Sequence, residues 1–94
     1  MEIDYRPRAK NAILKVMDFV ESKNTEGSGR RWFVKLNEVI NSLSQTGYGL
    51  QICRHESLSK FNYRCYEYNG WVIVFRISNK KLEVCRFIWA AQIS

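Results

Sequence analysis

Two adjacent residues, Asn69-Gly70, constrain this chain more than any others. A tight two-residue hairpin of type I′ needs positive φ at both central positions, and Asn-Gly is the pair that tolerates it best. The flanking segments, Phe61 to Tyr68 and Trp71 to Ser78, are rich in aromatic and β-branched residues and alternate in character, so both read as strands. With Asn69-Gly70 as the loop, Tyr68 opposes Trp71, Tyr66 opposes Ile73 and Arg64 opposes Phe75. One face then carries Tyr66, Tyr68, Trp71, Ile73, Phe75 and Ile77. The other carries Tyr63, Cys65, Glu67, Val72, Val74 and Arg76. The first face is apolar at its centre and is assigned to a core.

Asn79-Lys80 reads as a second turn, and Lys81 to about Ala91 as a third strand. A two-residue turn there puts Glu83 opposite Arg76. It sends Leu82, Val84 and Ile88 to the core face, and Glu83, Cys85, Phe87 and Trp89 to the open face. Arg86 then falls beside core residues. A buried, unpaired arginine is very costly, so either Arg86 lies at the sheet margin or the register shifts.

The first half of the chain has a different period. Glu2 to Tyr5 alternates and reads as a short strand, and Pro7 suits the first turn of a helix. Ala9, Ala12, Ile13, Val16, Met17 and Val20 make one apolar stripe on a helix from Ala9 to Lys23. After a Gly/Ser loop, Trp32, Phe33, Leu36, Val39, Ile40 and Leu43 make another, on a helix from Arg30 to Ser44. Neither helix buries its stripe alone, so the expected fold is α+β: an antiparallel helical hairpin packed on one face of the sheet. Gln45 to Gly49 ends the second helix, and the polar stretch from Leu50 to Lys60 is expected on the surface.

Ninety-four residues fit one domain, spanning 1–94. The longest apolar run, Trp71 to Phe75, is too short for a membrane span, and the N-terminal residues lack the apolar region of a signal peptide. Three scattered cysteines, Cys53, Cys65 and Cys85, predict reduced thiols and a cytoplasmic protein. With His55 the lone histidine, no metal site is expected, and no nucleotide or other cofactor motif occurs. The formal net charge of +6 points to acidic partners, nucleic acid or protein, although it also serves solubility.

The order strand, helix, helix, three strands resembles the RelE/ParE toxin superfamily. Ile3 to Ala9 looks like its opening strand and helix start, and Trp32 to Leu36 like its second-helix core. Tyr63 to Tyr66 leads into the hairpin, Trp71 to Ile77 looks like the central strand, and Val84 to Trp89 like the last one. The resemblance implies one half of a bacterial toxin–antitoxin pair. Its RNA-cleaving members use basic residues with a histidine or tyrosine near the end of the last strand, and many place an arginine where this chain has Val72. Here Ala90 and Ala91 follow Trp89, and neither they nor Val72 can move a proton. His55 has no motif to align it and reads as a surface histidine. The resemblance therefore points to the ParE-like, plasmid-stabilising branch, whose members bind DNA gyrase and are held by a cognate antitoxin. The alternatives are a ribosome-dependent or free endoribonuclease, and a degenerate relative that only binds.

The candidate partner- or nucleic-acid-binding residues are Tyr63, Arg64, Arg76, Arg86, Phe87 and Trp89. The arginines suit phosphate or an acidic segment, or Arg76 serves only to pair with Glu83 and Arg64 to border the core. Phe87 and Trp89 can stack bases, but cover by an antitoxin segment, or by a second copy in a dimer, is favoured.

Overall fold

A computed structural model describes residues 2–46 and 52–92. The helix end expected at Gly47-Tyr48-Gly49, and Leu50, lie outside the described residues. In chain order the elements are β1 (Glu2–Tyr5), α1 (Pro7–Lys23), α2 (Ser28–Thr46), α3 (Glu56–Ser59), β2 (Arg64–Tyr68), β3 (Trp71–Ser78) and β4 (Lys81–Trp89). A single 3-10 turn, Ala90–Gln92, follows. The sheet runs β1-β4-β3-β2. Its last three strands are antiparallel, and β1 lies parallel to β4 with Ile3 beside Leu82 and Tyr5 beside Val84.

Helix α1 starts at Pro7, where the ring's missing N–H costs no helical bond. The hairpin closes tightly. Glu21 accepts hydrogen bonds from the backbone N–H groups of Gly27 (2.7 Å) and Gly29 (2.9 Å). Gly29 is there because the helices nearly touch: a Cβ at that position would sit 2.5 Å from the Met17 carbonyl oxygen. Tyr5 ties β1 to α2 by donating its hydroxyl to Asn37 Oδ1 at 2.7 Å, and burial pushes its pKa up.

Both hairpin turns have two residues, with φ of 48° at Asn69, 85° at Gly70, 50° at Asn79 and 59° at Lys80. The β2–β3 register follows the arithmetic above, including Arg64 opposite Phe75. Ile73, Phe75, Leu82 and Val84 are buried with Ala9, Ile13, Leu36, Ile40 and Leu43, which makes the helix-facing core. Complete burial of such side chains contributes roughly 1.5–3 kcal/mol each.

Three expectations fail. The register shifts within β4: Val84 pairs with Phe75, yet Arg86 pairs with Val74, leaving Cys85 as a bulge. One extra residue inverts everything after it. Phe87 and Trp89 therefore lie on the helix side, and Ile88 moves to the second face. The shift also removes the cost of placing Arg86 in the core.

The second failure concerns the stretch around residues 52–60. It does not run freely over the surface. Cys53 and Leu58 are buried against Val74, with Tyr63, Cys65, Val72 and Ile88 around them. Cys53 and Cys65 form a disulfide, contrary to the expectation of reduced thiols, and Cys85 is the free cysteine. This segment covers much of the sheet's second face.

Candidate partner-binding site

The bulge and the covering segment build a cleft on the second face, about 480 Å³ in volume. One wall is Arg6, Pro7 and Arg8, at the junction of β1 and α1. The opposite wall is Leu58, Phe61 and Tyr63, and the sheet contributes Arg76, Cys85 and Arg86. Parallel pairing of β1 with β4 is what brings Arg6 and Arg8 here: the Arg6 N–H donates to the Val84 carbonyl at 3.0 Å. That long-range pairing was not legible in the sequence, and these two arginines were missed.

Four guanidinium groups thus share one cleft. Glu83 answers two of them. Arg76 reaches its Oε2 with Nη2 at 3.0 Å and Nε at 3.1 Å, and Arg6 approaches the same oxygen at 3.4 Å. The hydrogen bond and charge of Glu83 push the Arg76 pKa up. Among the described residues, no carboxylate pairs with Arg8 or Arg86. Arg86 is half-buried, and that burial, followed by the charge of Arg8, pulls its pKa down.

The neutral groups shape the cleft. Phe61 is 57% exposed at its rim, with its ring 5.4 Å from that of Tyr63. Burial pushes the Cys85 thiol up, against the opposing pull of Arg76, so it stays protonated and is a poor nucleophile. His55 is exposed, its carbonyl accepts the N–H groups of Leu58 and Ser59 at the start of α3, and it does not line the cleft.

The expected site residues are therefore divided. Tyr63, Arg76 and Arg86 come together in the cleft. Arg64, opposite Phe75, is directed to the helix side. Phe87 belongs to an aromatic stack there, edge-on to Trp32 at 5.9 Å and parallel to Trp71 at 4.7 Å. Trp89 ends that stack, edge-on to Trp71 at 5.0 Å and 44% exposed. Val72 packs under the covering segment, and the Ala90 N–H closes onto the Gly70 carbonyl at 2.8 Å.

Among the described residues no group of histidines, cysteines and carboxylates could hold a metal ion, and no helix is long and apolar enough to cross a membrane.

No protein-family model matches the chain, and no curated protein matches it. A solved structure does, a chain of the "Chromosomal ParDE TA system from P. aeruginosa", with a TM-score of 0.74 over 95% of both chains at 13% identity. The strand, helical hairpin and three-strand order of this protein is the fold of that toxin–antitoxin system chain.

Proposed function

We propose that this protein is the toxin of a type II toxin–antitoxin module of the ParE-like kind. It acts by binding a target such as DNA gyrase, and a cognate antitoxin neutralises it. The observation that carries the reading is the fold shared with the ParDE chain across nearly the whole of both proteins. The chemistry of the cleft supports a binding role. Among the described residues that line it there is no carboxylate and no histidine, its thiol is protonated, and its four arginines cannot accept a proton at neutral pH. Such a module serves plasmid or chromosomal-segment stability, and a gyrase target implies action in the cytoplasm.

A second reading is favoured by one specific feature. Four arginines around a cleft with Tyr63 would suit an endoribonuclease that grips a phosphodiester. Purified protein incubated in parallel with gyrase plus relaxed plasmid, and with translating ribosomes, separates the two. The proposal expects inhibited supercoiling with intact message. Cleaved message with normal supercoiling would establish the ribonuclease reading instead.

A further inference from the structure

We propose that the Arg8–Arg86 end of the cleft is a receptor for carboxylate side chains of an acidic peptide segment. Three observations lead there. The first is a charge imbalance: four arginines line the cleft, and one described carboxylate, Glu83, serves two of them. The second is the depth of Arg86. It is half-buried, the exposed Arg8 lines the same cleft, and holding two like charges together in a partly desolvated cleft is unfavourable until an anion enters. The third is the precedent inside the site. Glu83 already sits between Arg6 and Arg76, so a second carboxylate between Arg8 and Arg86 repeats an arrangement the fold has built once.

The shape favours a peptide over a nucleic-acid backbone. A carboxylate on a flexible stem can reach the half-buried Arg86, whereas a backbone phosphate is held at the level of its sugars. Leu58 and the exposed Phe61 offer apolar contact beside the cations, which suits a segment that alternates acidic and apolar residues. That such a segment belongs to an antitoxin rests on the toxin reading above. The carboxylate preference of the cleft rests on its own geometry and is tested alone.

The test is fluorescence anisotropy with a labelled peptide of alternating glutamate and leucine, a glutamine-for-glutamate version, and oligothymidylate of matching charge. Wild-type protein is compared with Arg8→Gln, Arg86→Gln and Arg30→Gln, the last removing an exposed charge on α2 outside the cleft. Thermal unfolding of each variant is recorded alongside. Arg8→Gln and Arg86→Gln should each weaken the acidic peptide by about ten-fold or more, the loss of one charge-assisted pair, with Arg30→Gln near wild type. The glutamine peptide should not bind. If Arg86→Gln fails to fold, the exposed Arg8 decides the matter. Equal loss in Arg30→Gln, retained binding by the glutamine peptide, or tighter Arg8-dependent binding of oligothymidylate would overturn the proposal.

Discussion

Phe87 lies face to face on Trp71, their ring centroids 4.7 Å apart and their planes 12° from parallel. The pair exists because the bulge at Cys85 turns Phe87 towards the helices. Phe87→Ala should therefore cost about 3 kcal/mol or more of stability, as removal of a buried ring does. Trp89→Ala, at the exposed end of the same stack, should cost clearly less. Urea unfolding of the two variants checks this. A Phe87→Ala protein as stable as wild type would place Phe87 on the surface.

Gly29 gives a second test. A Cβ there would collide with the Met17 backbone at 2.5 Å, and a backbone cannot swing aside as a side chain can. Gly29→Ala should destabilise the fold by about 1–3 kcal/mol, the range for overpacking, although alanine is the better helix former. Thermal denaturation showing a gain in stability would contradict the close contact of α1 with α2.

Much of this fold was legible in the sequence because its signals are local. Asn69-Gly70 set one hairpin, Asn79-Lys80 the other, and two helical stripes the layer above them. The rest depended on partners distant in the chain. The bulge at Cys85 has no marker residue, yet it decides the facing of Arg86, Phe87, Ile88 and Trp89. Pairing of β1 with β4 brings Arg6 and Arg8 to Arg86 across almost the full chain length, and no spacing rule reports that. Cys53 and Cys65 stand apart from any motif, so their bond emerged only with the covering segment. The site was thus half legible: Tyr63, Arg76 and Arg86 were named, and the wall that makes them a cleft was not.

Stability should depend on pH through Glu21. Hydrogen bonds from Gly29 and Gly27, with a smaller contribution from Arg31, hold its carboxyl below the usual range and outweigh desolvation. A folded pKa below the unfolded one means that the unfolded chain takes up the proton first. The stabilisation is then complete above the unfolded pKa and is lost as pH falls through the folded one. Glu21→Gln should flatten the acid limb of the stability–pH curve, with the two proteins converging at low pH. Parallel curves down to acid pH would mean that the carboxylate bonds contribute nothing.

The Cys53–Cys65 bond closes a short loop over the second face, so reduction should lower stability by about 2–3 kcal/mol. Amide exchange should rise most in the segment from Cys53 to Tyr63, which forms a wall of the cleft. Unchanged unfolding with and without reductant would show that packing of Leu58 against Val74 holds the segment unaided.

Growth after controlled expression in a bacterial host tests the proposed toxin function most directly. Growth should arrest when this protein is expressed alone, and should be restored when a small acidic protein encoded beside it is co-expressed. Unimpaired growth at confirmed expression of folded protein would contradict that function.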